Sequence, residues 1–186
     1  MFDLVFSRRY SMAHRLIAGP SKKCAIPHGH NEVVTINLKP VHPNRLDGAG
    51  NMVESFERAK ARWHGWIDNC VDHAFQLSNV DPLIEWFQRF EPHRLERVLI
   101  TPGDPTTEML ACCFKAKLSA FLLADGDSLT CVAVRIEETP TNTVIFSGEP
   151  RAALPLTNAA DPWWFRPDTD INDLVADGGD GLPAKH

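Results

Sequence analysis

The segment of residues 24–34 reads CAIPHGHNEVV, and it combines one cysteine, two histidines and the start of an apolar run. Beyond His30, the apolar residues Val34, Ile36 and Leu38 continue the even-numbered series on which both histidines stand. Side chains two residues apart in a β-strand point to the same face. The segment therefore predicts a strand that begins near His28 and carries both histidines in line with its apolar face.

The residues before this segment predict a partner for that strand. Even-numbered positions from 2 to 12 are apolar, apart from Arg8, and the series ends at His14. Residues 15–27 contain one glycine and two prolines and therefore favour a loop. If the two strands pair antiparallel across this loop, His14 lies close to His28 and His30.

Three converging histidines suggest a metal site, but the residues alone leave three interpretations open. Three histidines around zinc, with a fourth position free, are typical of a catalytic site. Cys24 could instead complete a closed site, since three residues separate it from His28. Each imidazole could also be satisfied by ordinary hydrogen bonds, without any metal.

The remaining chain predicts an α+β domain with an antiparallel sheet. A helix is expected over about 53–70, a short helix over 81–90, a short strand near 94–101 and a second long helix from about 104. A hairpin follows, with its turn at 140–142. We expect residues 1–149 to form this domain and residues 150–186 to form a partly irregular extension. Trp163 and Trp164 would anchor the extension on its own or a neighbouring subunit, with a frayed end.

The composition limits the functional classes. The chain has 186 residues, of which 44% are hydrophobic, and its formal net charge is -5. This charge argues against general nucleic-acid binding. The sequence shows no signal peptide and no segment that could cross a membrane, so a cytoplasmic protein with five cysteine thiols is expected.

Two further motifs contain polar residues that suit catalysis or binding. Asp72 and His73 are adjacent after the first helix, and a carboxylate next to an imidazole can set its tautomer and raise its basicity. Thr106, Thr107 and Glu108 stand at the start of the second long helix. They could simply cap that helix, or its free N–H groups could hold a ligand.

The last strand of the domain contains two candidate acids. Glu138 shares the parity of Val132, Val134 and Ile136, whereas Glu137 falls on the opposite face. Glu138 is therefore expected to end in a pocket, where it could bind a heterocycle that presents an amino group and a ring N–H. The alternative is a solvated hairpin end.

Taken together, these motifs resemble the 6-pyruvoyltetrahydropterin synthase and 6-carboxytetrahydropterin synthase family. The similar segments occur between residues 11 and 140, in the order SMAHRL, KKCAIPHGHN, NMVESF, VDHAFQL, DPTTEMLA and RIEETP. The resemblance implies a tunnelling fold, with a four-stranded antiparallel sheet and two long helices on one face. It also implies that subunits form a ring by joining their sheets into a barrel. Two such rings would stack into a homohexamer, with sites between subunits.

The resemblance also assigns roles to individual residues. It implies Zn²⁺ on three histidines, a catalytic Cys24 that is not a ligand, and a proton relay made of Asp72 and His73. It implies a pterin anchor at Glu138, with additional contacts from the start of the second long helix. The implied zinc ligands are His14, His28 and His30, and the implied additional contacts are Thr106, Thr107 and Glu108.

The family substrate is 7,8-dihydroneopterin triphosphate, and Lys23 is a candidate contact for its phosphates. The three-residue gap between Cys24 and His28 resembles the carboxy-forming enzymes of 7-deazaguanine (queuosine precursor) synthesis more than the pyruvoyl-forming enzymes. A zinc-containing pterin-binding or purine-binding protein without turnover is a third possibility. The chain departs from the family pattern at Ser55 and Val71, and it is longer over 79–104.

Overall fold

The computed structural model describes residues 2–42, 46–126, 128–157 and 159–174. Its first two strands are β1 (Leu4–His14) and β2 (His28–Pro40). They pair antiparallel without interruption, from Leu4 opposite Leu38 to His14 opposite His28. Their even-numbered apolar side chains are buried in the core. The predicted pairing of these two strands across the 15–27 loop is thus confirmed.

Four more strands complete a single mixed sheet. They are β3 (Ala74–Ser78), β4 (Val98–Thr101), β5 (Leu129–Thr139) and β6 (Asn142–Phe146). The strand order is β4-β3-β1-β2-β5-β6. β1, β2, β5 and β6 are antiparallel to their neighbours in that series, whereas β3 runs parallel to β1 and β4 runs parallel to β3.

The prediction of a four-stranded antiparallel sheet is therefore wrong in strand number and in strand direction. The four expected strands are present, and β3 and β4 extend the sheet beyond β1. Of these two, β4 matches the short strand expected near 94–101, whereas β3 was not predicted. β3 has the sequence AFQLS and buries Ala74, Gln76, Leu77 and Ser78, so its burial does not alternate. A buried strand of five residues gives no period-two signal from which to recognise it.

Two helices pack on the even-numbered face of the sheet. α1 (Phe56–Trp66) begins after the N-cap Ser55 and continues into a π-helical turn, Ile67–Val71. α3 (Thr107–Ala124) begins after the N-cap Thr106. The ring of Tyr10 lies 6.1 Å from that of Phe114, which places α3 against β1. This arrangement covers one face of the sheet with apolar side chains from both helices.

A β-bulge corrects the predicted register of β5. Leu38 of β2 faces Cys131, and the preceding Asn37 faces Ala133, so Val132 is an extra residue between them. Consequently Val132 is only half-buried and does not share the inner face of Val134 and Ile136. This bulge lies before Val134 and Ile136 and leaves their shared face unchanged. A second irregularity, between Glu137 and Thr139 in the β5–β6 pair, falls at Glu138, so the orientation of Glu138 follows from its side-chain contacts and not from parity.

The segment between β3 and α3 forms a small substructure at one edge of the sheet. It contains α2 (Pro82–Phe90), a 3₁₀ turn (Pro92–Arg97) and β4. The N-cap Asp81 accepts a hydrogen bond from the Leu83 N–H at 2.8 Å. Apolar side chains of α2, the turn, β3 and β4 form a second, smaller core.

The C-terminal extension packs on its own chain as far as it is described. It contains α4 (Pro150–Ala153) and a 3₁₀ turn (Trp163–Phe165). Lys117 of α3 is fully buried beneath it and donates to the carbonyl oxygen of Trp163 at 2.9 Å. The N–H of Ile100 in β4 donates to the carbonyl oxygen of Ile171 at 3.0 Å, so the extension covers the outer edge of β4. The predicted frayed end lies outside the described residues.

Candidate active site

The last residue of β1 and the first residues of β2 bring three histidines together. His14 faces His28 across the strand pair, and His30 faces Met12. The ring centroids of the three imidazoles are 4.5, 5.1 and 5.2 Å apart. One ring nitrogen from each histidine lies within 4.8 Å of the other two. The convergence expected from strand parity is therefore present in the folded chain.

The hydrogen bonds of this cluster determine which nitrogens are free. Nδ1 of His14 lies 3.1 Å from the carbonyl oxygen of Pro105, and Nδ1 of His28 lies 2.8 Å from that of Ile26. A carbonyl oxygen only accepts, so both Nδ1 atoms carry the hydrogen and both neutral rings present a lone pair at Nε2.

These two Nε2 atoms are only 3.0 Å apart. Two lone pairs at this distance repel each other unless a proton or a cation lies between them. Two nitrogens that each bind the same zinc at about 2 Å are separated by a similar distance. The donor set of three imidazoles, two of them oriented by carbonyl partners, therefore fits a zinc ion.

The electrostatic environment of His14 favours the neutral form that binds metals. Burial lowers its pKa, and its neighbours His28 and His30 lower it further, although the hydrogen bond to Pro105 opposes the shift. A ring that stays neutral keeps its Nε2 lone pair available for a cation.

Gly29 makes the close approach of the two strands possible. A Cβ atom at this position would lie 2.6 Å from the backbone oxygen of Met12. The His-Gly-His sequence therefore places two histidines on one face of β2, and the glycine between them leaves room for the backbone of the neighbouring strand β1.

Cys24 lies outside the histidine cluster. Among the described residues, the group of metal-competent side chains contains the three histidines and not this thiol. Cys24 is half-exposed in the 15–27 loop, where its carbonyl oxygen accepts from the Leu16 N–H at 2.8 Å. This geometry disfavours a closed site with Cys24 as fourth ligand. Lys23, beside it, is exposed.

Two acids that sequence reasoning did not assign to the site hold this loop in place. Asp104 accepts from the backbone N–H groups of residues 17, 18 and 19 at 2.8–3.1 Å. Asp81, whose side chain is fully buried, pairs with Arg15 at the start of the loop. No local pattern points to this role for Asp104, because its partners are more than 80 residues away in the chain.

Glu138 lies at the edge of the histidine cluster. Its Oε1 accepts from the Thr107 hydroxyl at 3.1 Å and lies 4.0 Å from Nε2 of His30. The neighbouring Glu137 instead pairs with Arg135, 3.2 Å away. Thus only Glu138 turns towards the three histidines.

The start of α3 divides its three polar residues between different environments. The Thr106 hydroxyl accepts from the Met109 N–H at 3.3 Å and so caps the helix. Thr107 is buried and bonded to Glu138, whereas Glu108 is exposed. Capping thus explains Thr106, and only Thr107 contacts another predicted site residue.

A buried acid beside the cluster was missed by the sequence analysis. Glu32 follows His30 on the same face of β2, is fully buried, and accepts a hydrogen bond from the Tyr10 hydroxyl. Burial raises the pKa of Glu32 to about 7, the bond from Tyr10 opposes this, and the charge of Glu138 adds to it. The available signal was an acid at an even position between His30 and Val34.

Asp72 and His73 form a hydrogen-bonded pair just before β3. Nδ1 of His73 lies 2.9 Å from Asp72 Oδ2, and the Ser11 N–H donates to Asp72 Oδ1 at 2.7 Å. Burial alone would raise the pKa of Asp72, but the bonds from Ser11 and His73 and the charge of Arg97 lower it overall. The carboxylate is therefore ionised and orients the imidazole.

The pair is separate from the histidine cluster within one chain. His73 has a side-chain exposure of 76%, whereas the cluster residue His14 is buried. In the described part of the chain, no hydrogen bond or ion pair connects Asp72 or His73 to the three clustered histidines or to Cys24. The structure thus brings together the predicted ligands, Glu138 and Thr107, but leaves the predicted relay apart from them.

Comparison with known proteins supports the fold seen here. Two solved structures resemble it: an uncharacterized protein of Wolinella succinogenes and 6-pyruvoyl tetrahydropterin synthase of Caenorhabditis elegans. The first is 18% identical, with a TM-score of 0.63 over 80% of this chain and 98% of the other. The second is 23% identical, with a TM-score of 0.52 over 80% and 96%. At these low identities, the structural matches establish similarity of fold alone.

A third structure extends the comparison. It is a catalytic-residue mutant of Plasmodium vivax 6-pyruvoyltetrahydropterin synthase, 14% identical, with a TM-score of 0.54 over 78% of this chain and 96% of the other. No curated protein sequence matches the chain. Over the described residues, no helix has the length and apolar character needed to cross a bilayer.

The decisive comparison is with protein families. The sequence model of the family described as 6-pyruvoyl tetrahydropterin synthase matches residues 3–149. This range contains the histidine cluster, Cys24, the Asp72–His73 pair and Glu138. Because the match extends over most of the chain and includes all of these residues, the chain belongs to the 6-pyruvoyl tetrahydropterin synthase family.

Proposed function

We propose that the chain is a zinc-dependent 6-carboxy-5,6,7,8-tetrahydropterin synthase that acts on 7,8-dihydroneopterin triphosphate. The observation that carries this proposal is the cluster of His14, His28 and His30, in which two oriented lone pairs face each other at 3.0 Å. The thiol of Cys24 stays outside the cluster and is free for chemistry. The product of the proposed enzyme would be a precursor in 7-deazaguanine synthesis.

The three histidines would hold zinc through one nitrogen each, which leaves a coordination position for substrate. When bound, zinc acts as a Lewis acid that makes the hydroxyl groups of the substrate side chain more acidic. The carbonyl oxygens of Pro105 and Ile26 keep His14 and His28 in the tautomer that binds metal.

The chain's own side chains supply binding and proton transfer. Glu138 accepts hydrogen bonds from the amino group and ring N–H of the pterin, while Thr107 orients its carboxylate, with Thr106 and Glu108 nearby. Cys24, as the thiolate, removes a proton from carbon. The exposed Lys23 meets the triphosphate.

The Asp72–His73 pair completes the site from a neighbouring copy of the chain. This arrangement is supported by its separation from the cluster within one chain and by the exposure of His73. Asp72 accepts the Nδ1–H of His73, so Nε2 is free to accept a proton from substrate. A homohexamer of two stacked rings would bring the two halves together.

A second activity of the same family is favoured by the names of the similar structures. 6-Pyruvoyltetrahydropterin synthase would need the same residues but would eliminate triphosphate without releasing acetaldehyde. Incubation of zinc-loaded protein with dihydroneopterin triphosphate, followed by analysis of both small products, tests the proposal. We expect 6-carboxytetrahydropterin and acetaldehyde. The pyruvoyl product would favour the second activity, and pterin binding without any product would indicate a non-catalytic binder.

A further inference from the structure

The backbone at His73 is held in an unusual conformation. Its φ of 63° lies in the left-handed region, which residues other than glycine and asparagine rarely adopt. A residue keeps such a conformation only when neighbouring contacts hold it there. The orientation of the His73 imidazole therefore depends on whatever fixes the turn at residues 72–73.

One side of this turn is fixed by β1. The N–H of His73 donates to the carbonyl oxygen of Ser11 at 2.7 Å, and the N–H of Ser11 donates to Asp72 Oδ1 at 2.7 Å. These two bonds tie both residues of the turn to the edge of the strand. Neither bond involves the carbonyl oxygens at the end of the preceding π-helical turn, which need hydrogen-bond donors from elsewhere.

The other side is fixed by Arg97. Its Nη1 donates to the carbonyl oxygen of Asn69 at 2.5 Å, and its Nη2 donates to the carbonyl oxygen of Asp72. The guanidinium thus bridges two carbonyls at the C-terminal end of the π-helical turn, where the helix dipole favours a cation. Arg97 is half-buried and lines a cavity together with residues 169–172 of the C-terminal extension.

We propose that Arg97 is a positioning residue for the Asp72–His73 pair, because its guanidinium fork fixes the turn that holds the two side chains together. The inference rests on the proposed function for its kinetic consequence. It assigns a role to the long 79–104 segment, since Arg97 lies at the end of the 3₁₀ turn in that segment.

Geometry, and not charge alone, carries this role. A guanidinium has several N–H donors in a rigid plane and can bind two carbonyls at once, whereas an ammonium is a compact charge on a flexible stem. Lysine at position 97 would keep the positive charge near Asp72 but would not hold both carbonyls. The two contributions can therefore be separated by substitution.

The test compares Arg97→Lys and Arg97→Met with a matched control, Arg94→Met. Arg94 lies in the same 3₁₀ turn but is exposed and pairs only with Glu91 in the described structure. Both Arg97 variants should lower kcat by roughly 10–100-fold, the usual effect of removing a residue that orients a reacting group. KM and zinc content should stay near the wild-type values, and Arg94→Met should behave as wild type.

A crystal structure of each variant provides a readout that does not need activity. We expect the 2.9 Å contact between His73 Nδ1 and Asp72 Oδ2 to be lost in Arg97→Met and kept in Arg94→Met. If wild-type protein fails to convert dihydroneopterin triphosphate, the proposed function fails, and the crystal structures alone decide the role of Arg97.

Three results would overturn the inference. The first is wild-type kcat in Arg97→Met. The second is full activity in Arg97→Lys, which would show that the charge is sufficient. The third is an unchanged Asp72–His73 contact in the structure of Arg97→Met. If Arg97→Met does not fold, Arg97→Lys, which retains the charge and a long aliphatic stem, is tested by the same two readouts.

Discussion

At the scale of single residues, the hydrogen-bond partner of Nδ1 decides whether Nε2 of His14 and His28 can face a cation. Because Pro105 and Ile26 occupy Nδ1 of His14 and His28, only Nε2 remains to meet a cation. A carbonyl partner is a strong constraint, since it cannot exchange roles with the ring. The arrangement of nitrogens that could bind a metal is thus determined by backbone atoms of two loops.

Replacement of Cys24 by alanine should separate metal binding from proton transfer. The thiol lies outside the cluster, so we expect Cys24→Ala to keep near-full zinc and to lose activity by roughly 10²–10⁴-fold, as for loss of a general base. Zinc stoichiometry and turnover are measured side by side. His30→Ala is the control and should lose both. Equal zinc loss in the two variants would make the thiol a ligand.

Glu138 and Glu137 form a matched pair for testing the pterin contact. Glu138→Gln should weaken substrate binding by roughly 1.5–3 kcal/mol for each charge-assisted hydrogen bond removed in a buried site. Glu137→Gln should have little effect, because Glu137 pairs with Arg135 away from the cluster. Binding is measured by calorimetry on the zinc-loaded protein.

Zinc analysis of the same two variants adds a second criterion, because Glu138 Oε1 lies only 4.0 Å from Nε2 of His30. If Glu138→Gln loses zinc, the carboxylate serves the metal and not the pterin. Equal effects of the two variants on binding would contradict the observed orientation of Glu138.

At the scale of secondary-structure elements, the site depends on how closely β1 and β2 approach. Their antiparallel register places His14 opposite His28, and one step along the face places His30 opposite Met12. A shift of one residue would turn His28 and His30 to the other face of the sheet. The long apolar face that both strands share therefore also sets the geometry of the cluster.

Gly29→Ala should disturb this register without removing any ligand. Its new Cβ would lie 2.6 Å from the Met12 oxygen, so the strands must separate. We expect a loss of roughly 1–3 kcal/mol in the free energy of unfolding, as for overpacking, together with weaker zinc binding. Denaturant titration and a competitive zinc chelator measure the two effects.

Gly65→Ala is the control for that experiment. Gly65 lies within α1, and a Cβ atom there has no neighbour within 4 Å. Alanine should stabilise the helix by about 0.5–1 kcal/mol and leave zinc binding unchanged. If Gly29→Ala bound zinc as tightly as Gly65→Ala, the close approach of the strands would not matter for the site.

At the scale of the whole molecule, the two edges of the sheet differ in how well they are covered. The C-terminal extension binds the outer edge of β4 through the bond from Ile100 to Ile171. β6 is the other edge of the sheet, and β3 pairs only with the last three residues of β1. In the described chain, the open edges are therefore β6 and the first part of β1. Open edges favour pairing with another copy.

We expect assembly into a closed ring in which neighbouring copies share sites. Light scattering should show an oligomer, and a stable monomer at micromolar concentration would contradict this. Two inactive variants, His30→Ala and His73→Ala, provide a sharper measurement when they are co-expressed. If each site combines the cluster of one copy with the Asp72–His73 pair of another, random mixing should restore about a quarter of the sites. No recovery would place both halves of the site in one chain.

Much of this protein could be predicted from the sequence because strand parity is a local property. The even-numbered series that ends at His14 and the series that begins at His28 are sufficient to place three histidines on one face. Parity also predicted that Glu138 and Glu137 face opposite sides, and their contacts with Thr107 and Arg135 agree with this. Helix starts were also predictable, since Thr106 carries its own capping signal. These features depend only on residues that are neighbours in the chain.

Only the tertiary structure decided the features that join distant residues. β3 and its parallel pairing with β1 could not be predicted, because a short buried strand has no alternation. The bond from Arg97 to the Asp72 carbonyl and the pairing of Tyr10 with Glu32 join residues more than 20 positions apart. Such contacts form when packing brings separate elements together, and no periodicity within either element records the partner. For this reason the sequence predicted the residues of the histidine cluster. The contact of His28 with Ile26 is local, whereas the contact that orients His14, from Pro105 on a distant segment, was set by packing.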